Sequence, residues 1–139
     1  MSKTKEPQYN ALLDLRDRHG LASFGLMSNQ SWSEDPRRLG FLLARYKFVA
    51  KMLSGCAKVV EIGCADAFGT RVVQQEVPSV TAVDFDPVFV NEAKSRADGR
   101  WPLDLRVHDI LDGPVPPATM MQHSPLTCSS TLRRGTKTG

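Results

Sequence analysis

The stretch Lys58–Thr70, KVVEIGCADAFGT, constrains this chain more than any other. A β-branched pair, Val59-Val60, leads to an acid at Glu61 and a turn through Gly63. Small residues follow (Cys64, Ala65, Ala67), and past Gly69 the run Arg71-Val72-Val73-Gln74-Gln75 reads as a helix opening. Strand, tight turn, helix is how an α/β sheet brings backbone up to a ligand at the carboxyl ends of its strands. Small side chains permit that approach, where bulky ones would stand in the way. An ordinary strand-turn-helix without a ligand is the alternative at this point.

Two cofactor classes use such a turn. A dinucleotide fingerprint, G-x-G-x-x-G, seats a pyrophosphate on the helix N-terminus. Here its second and third glycine positions are Ala65 and Phe68, so that pattern fails twice. Further along, Val80-Thr81-Ala82-Val83-Asp84 is a buried-strand run ending in an acid, a placement that suits hydrogen bonds from two ribose hydroxyls. Phe85-Asp86-Pro87 then starts a helix with Asp86 as cap and Pro87 at its first position. That helix is expected over Pro87–Arg96, with Val88, Val90 (or Phe89) and Ala93 inward, and Asp98-Gly99 ends it. Leu103 to Val107 alternates apolar and polar, a third strand suited to a sheet edge, followed by His108-Asp109-Ile110.

The E-x-G of Glu61 and Gly63, followed by small residues, resembles motif I of the class I S-adenosylmethionine-dependent methyltransferases, usually E/D-x-G-x-G-x-G. Ala65 and Ala67 replace its next two glycines. The resemblance covers roughly Lys58 to Leu111. It implies S-adenosyl-L-methionine as cofactor, with the loop at Glu61, Gly63, Cys64 and Ala65 against its methionine part. It further implies Asp84 at the ribose, Phe85 against the adenine, Asp109 at the adenine amino group, and the Ile110 amide at a ring nitrogen. Methyl transfer in this family is an in-line displacement that depends on positioning. No catalytic residue, metal ligand or covalent nucleophile is assigned. Cys64 is either a small residue suited to the turn or a thiol at a helix N-terminus.

Upstream, Tyr9–His19 suits a short amphipathic helix stopped by Gly20, and Leu21–Gln30 has no clear period. A longer helix is expected from Ser33-Glu34-Asp35-Pro36 to about Leu53, with Ser33 or Asp35 as cap. Its inward positions are Leu39, Leu42, Leu43, Tyr46, Val49, Ala50 and Leu53. Trp32 and Tyr46 read as packing residues in preference to ligand contacts, and Asn29–Leu53 resembles the lead-in of some bacterial methyltransferase-domain proteins.

After Val115 the character changes. ATMMQHSPLTCSSTLRRGTKTG has no acid and no apolar period. Read from the third codon base, with allowed codons, the same stretch permits GDYDAAFSLDVLEHIAPGNEDR. In that register Met120-Met121 forces Asp and Met121-Gln122 forces Ala, whereas the other letters rest on synonymous choices. The string resembles the fourth-strand region of class I methyltransferases, so the family register is expected to be lost near Pro116-Pro117. In that family the sheet order is 3-2-1-4-5-7-6. The fold class expected is therefore α/β: N-terminal helices, then the first half (strands 1–3) of a Rossmann-like parallel sheet, incomplete. The divisions are 1–57 helical lead-in, 58–115 cofactor-binding half and 116–139 non-family tail, disordered or out of frame. An open edge on the first strand would invite self-association.

Composition limits the partners. Arg133, Arg134 and Lys137 lie in the acid-free tail, so the formal charge of +3 belongs to that tail and the rest is balanced. A neutral body argues against a nucleic-acid surface. Three cysteines without a C-x-x-C pair suit a reducing, cytoplasmic setting, and no apolar run reaches membrane-spanning length. The activity expected is methyl transfer to an unidentified, small-molecule or other acceptor, impaired in this truncated chain. The alternatives are a non-catalytic cofactor- or nucleotide-binding fragment or interaction module and, behind it, an NAD-dependent oxidoreductase.

Overall fold

Chain order turns from helical to alternating at Lys58. The structure, a computed structural model, describes residues 3–117 and the backbone of 131–133. Three helices lead: α1 (Asn10–His19), α2 (Leu26–Glu34) and α3 (Arg37–Met52). Helix α1 ends at Gly20 in a left-handed turn (φ 73°), with Arg16, Arg18 and His19 favourably placed at its negative end. It buries none of its residues, so the leucines at 12 and 15 remain exposed.

The stretch without a clear period contains most of α2. Ser33 lies inside that helix, where its hydroxyl donates to the Asn29 carbonyl at 2.9 Å, and so it does not cap α3. Asp35 accepts from the Arg37 amide at 3.3 Å and from its guanidinium at 2.8 Å. Pro36 precedes the first helical turn of α3, as its fixed φ permits.

From α3, Tyr46, Ala50 and Leu53 turn inward and meet Cys56, Val59, Val73, Val77 and Val80. These belong to α3, to strand β1 (Lys58–Ile62), to the region of α4 (Thr70–Val73) and to strand β2 (Ser79–Asp84). Fully burying a valine contributes roughly 1.5–3 kcal/mol. Val73 and Val77 of this cluster are of that kind, as are Val83 and Val90 outside it. Helix α5 (Pro87–Ser95) follows, capped by the Asp86 carboxylate on the Val88 amide at 2.9 Å. Val90 and Ala93 are buried and Phe89 is half-buried, but Val88 is exposed: the inward stripe begins one position later than its sequence suggests.

Strand β3 (Asp104–Val107) completes two parallel β-α-β units. Ser79 pairs with Lys58 and Asp104 with Thr81, all three strands running the same way. Their order, β3-β2-β1, places β3 at an edge as its alternating pattern predicts. A short strand, β4 (Thr131–Arg133), lies parallel on the other side of β1, with Val60 opposite Thr131 and Ile62 opposite Arg133. The edge of β1 expected to stand open is therefore paired over these three residues. The remainder of the tail, including nearly all of the stretch read in the second register, lies outside the described residues. Among the described residues, no helix is long and apolar enough to cross a membrane.

Candidate functional site

The turn after β1 is built on positive φ. Gly63 (φ 72°), Ala65 (φ 49°) and Ala67 (φ 54°) alternate in left-handed conformations. For alanine that region costs on the order of 1–2 kcal/mol, because Cβ crowds the following carbonyl. The positions where the resemblance calls for glycine are thus the positions where the backbone asks for one.

What holds the strained turn is a set of hydrogen bonds. The Gly63 and Cys64 amides both donate to the Val83 carbonyl, at 2.8 and 3.0 Å. The Ala65 amide donates to Asp84 Oδ2 at 2.9 Å, Ala67 to the Cys64 carbonyl at 2.9 Å, and Phe68 to Asp66 Oδ1 at 3.2 Å. Five successive-region amides are thereby spent on the protein's own acceptors. Helix α4, at four residues, adds little dipole beyond them.

Glu61 is buried, and both of its carboxylate oxygens accept hydrogen bonds. Tyr46 Oη donates to its Oε1, and Thr70 Oγ1 donates to its Oε2 at 2.5 Å. Gly69 is required next to this group, since a Cβ there would run into the Tyr46 ring. Glu61 therefore ties α3, β1 and α4 together, and Tyr46 is a packing residue, as expected. Trp32 packs against Phe24 (ring centroids 5.7 Å apart), and Phe24 meets Phe68 edge-on at 5.4 Å. The phenylalanine that spoils the dinucleotide pattern thus anchors the N-terminal segment. Cys64 is buried in the turn, which suits its reading as a small packing residue.

Two contributors are invisible in the sequence pattern. Asp66 is buried, and its Oδ2 accepts from the Ser28 amide in the first turn of α2 at 2.7 Å. Its carbonyl accepts from Arg96 Nη2 at 2.6 Å, while Arg96 also pairs with Glu92. Gly25 sits close enough that a Cβ would collide with Asp66 and stand 2.6 Å from Arg96 Nη2. A carboxylate among small loop residues was a signal for a local turn, but nothing in the sequence links it to a helix 38 residues away.

At the carboxyl edge of β2, Asp84 is buried and uses both oxygens: Oδ2 on Ala65 and Oδ1 on the Asp86 amide at 3.0 Å. Phe85 beside it is 71% exposed, an unusual placement for a phenylalanine. At the end of β3, Asp109 is half-buried and accepts from the Leu111 amide at 2.9 Å, opening the 3-10 turn Ile110–Asp112. The His108 amide donates to the Asp84 carbonyl at 2.9 Å, which brings the two strand ends together, and His108 Nε2 lies 2.9 Å from the Gly113 carbonyl. Asp84, Phe85, Asp109 and Ile110 thus occupy one rim, with the Gly63–Ala65 turn beside it. Glu61 is set below.

No protein-family description and no curated protein matches the chain. Among solved structures it is similar to the 23S rRNA methyltransferase ErmE, at 24% identity and TM-score 0.45, over 54% of this chain and 30% of that one. It is similar to the N-methyltransferase NodS from Bradyrhizobium japonicum, at 23% identity and TM-score 0.45, over 60% and 46%. It is also similar to the plantazolicin methyltransferase BpumL in complex with SAH, at 15% identity and TM-score 0.41, over 76% and 44%. The likeness is one of fold, and it spans less than half the length of each of these chains.

Proposed function

We propose that the carboxyl edge of this sheet binds S-adenosyl-L-methionine and that the chain belongs to a methyl-transfer enzyme. One observation carries the reading: five of the turn's amides are already engaged while the rim offers carboxylates. A pyrophosphate needs free N–H groups, a helix dipole or cations. Gly63, Cys64, Ala65, Ala67 and Phe68 donate internally, and the helix that follows has four residues. Arg96, which approaches the turn, is occupied by Glu92 and the Asp66 carbonyl. Acids at Asp84 and Asp109 suit the ribose hydroxyls and adenine amine of either cofactor, so it is the pyrophosphate, with few free amides to meet it, that the turn disfavours. This argues against the NAD-dependent reading on grounds separate from Phe68.

When bound, the cofactor supplies an activated methyl group. Asp84 would accept from the ribose hydroxyls with whatever acceptor capacity its two amides leave, since a carboxylate carries about four lone-pair sites. Phe85 offers an exposed flat ring for the base. Asp109 has its second oxygen for an exocyclic amine, with the Ile110 amide following it. Gly63 and Ala65 border the 5′ side. Glu61 acts indirectly, holding the turn through Thr70.

Calorimetric titration with S-adenosylhomocysteine tests this, with NADH as the control. Saturable binding of the first alone, lost in Asp84→Ala, is expected. Binding of NADH, or a folded chain that takes neither, would refute it.

The acceptor side is proposed to lie in the second reading register after Pro116, which supplies the fourth-strand resemblance. Sequencing the DNA across that junction decides the matter, since codons incompatible with the alternate string sink the idea. If they agree, the restored frame should gain methyl transfer that the present chain lacks.

A further inference from the structure

Ser28 is the residue the site description leaves unexplained. It is 2% exposed, and among the described residues its Oγ is the buried side-chain oxygen without a hydrogen-bond partner. A buried hydroxyl left unpaired costs about 1–3 kcal/mol, so such a group in a folded chain calls for a reason. Its position supplies one. The Ser28 amide is held by Asp66 Oδ2 at 2.7 Å, and covalent geometry keeps Oγ within roughly 4 Å of its own nitrogen. The hydroxyl is therefore fixed within about 7 Å of the carboxylate in the middle of the turn.

Topology indicates which end of a ligand would pass there. The sheet runs β3-β2-β1, with Asp109 after β3, Asp84 after β2 and the turn after β1. A nucleoside with its base toward Asp109 and its sugar at Asp84 extends its 5′ substituent over the turn, toward Asp66 and α2. Helix α2 is seated there firmly: Gly25 lies against Asp66 and Arg96, and Phe24 against Phe68. Five of the turn's amides are spent internally, which leaves a carboxylate on that substituent few donors within the turn.

Resting on the cofactor reading above, we infer that the Ser28 hydroxyl donates to that carboxylate, a specificity-determining contact for the amino-acid end of the cofactor. The N-terminal segment is then part of the binding site and not merely a lead-in to it.

The test compares two ligands that share a nucleoside. S-Adenosylhomocysteine carries the amino-acid end and 5′-methylthioadenosine lacks it. Ser28→Ala should weaken the first about tenfold, the equivalent of one hydrogen bond to a charged group, and leave the second within about twofold. The unliganded variant should melt no lower than the parent, because the hydroxyl it loses satisfies nothing in that state. Ser28→Cys, nearly the same size with a weaker donor, should fall between them. Equal loss for both ligands, no loss for either, or a lowered melting temperature would overturn the assignment while leaving the site itself standing. A parent chain that binds neither ligand would overturn the site and this contact together.

Discussion

Two neighbouring strand ends treat their carboxylates differently. Asp84 is buried and spends both oxygens on backbone amides, one of them in the strained turn across from it. Asp109 is half-buried, with one oxygen on its own local turn, beside a Leu111 that is 89% exposed. The first acid is a structural member to which the proposed site gives a second task, whereas the second has little structural work beyond its own turn. A carboxylate that organises a loop is preorganised for binding at no further entropic cost, but it cannot be removed without disturbing the loop.

The sharpest way to break this contrast is to delete each acid in turn. Asp84→Ala should abolish measurable S-adenosylhomocysteine binding and lower stability by about 2–3 kcal/mol, since two amides lose a charged acceptor. Asp109→Ala should weaken binding about tenfold and change urea-unfolding stability by less than about 0.5 kcal/mol. Similar stability losses in both would erase the distinction.

The Glu61 group gives the next effect. Tyr46→Phe removes the hydroxyl that donates to a buried carboxylate and should cost about 1–3 kcal/mol by denaturant titration. Its affinity change should be smaller than that of Asp84→Ala, because Glu61 acts from beneath the turn. An equal loss of affinity would place Glu61 at the ligand after all.

A gain is expected at the strained positions. Ala65→Gly and Ala67→Gly should each stabilise by up to about 1 kcal/mol, the relief of left-handed alanine less the entropy of glycine. Ala65→Gly tests the comparison directly, since its amide is the one Asp84 holds.

The smallest effect lies at β3. Arg106 donates two hydrogen bonds to Asp104, the main reason its carboxyl sits below the ordinary value of 3.8, with Thr81 adding to the pull against partial burial. A depressed folded-state value means a contribution present above that ordinary value and lost as pH falls through the folded one. Melting temperatures of the parent and Asp104→Asn should therefore differ slightly near neutrality and converge once the pH has fallen through the lowered folded-state value. A difference that persists there would rule out ionisation as its source.

Much of this architecture was legible because it is local. The turn, the acids ending β2 and β3, and the proline-marked starts of α3 and α5 follow from residues adjacent in the chain. The three-two-one strand order followed from the family resemblance. The Tyr46–Glu61–Thr70 group, the clamp of Asp66 on α2 and the orphaned Ser28 hydroxyl arise only when distant segments meet. No spacing encodes them. Val88 was misplaced for a subtler reason: its helix carries valines two positions apart on different faces, and packing on β3 and β2 selected the face of Val90. Ser33 reads as a cap by type, yet α2 extends through it.

Strand β4 bears on the order in which the sheet comes together. Lys58 meets Ser79 and Thr81 meets Asp104, each across a single helix, while Val60 meets Thr131 only after the chain has passed through everything else described. Closing a longer loop costs more entropy, and three residue pairs return little for it. The β3-β2-β1 unit should therefore assemble first and β4 should be the last piece to dock and the first to leave. In hydrogen exchange, the β1 amides that face β2 would then outlast those that face β4, a built-in weak seam beside the turn that follows β1.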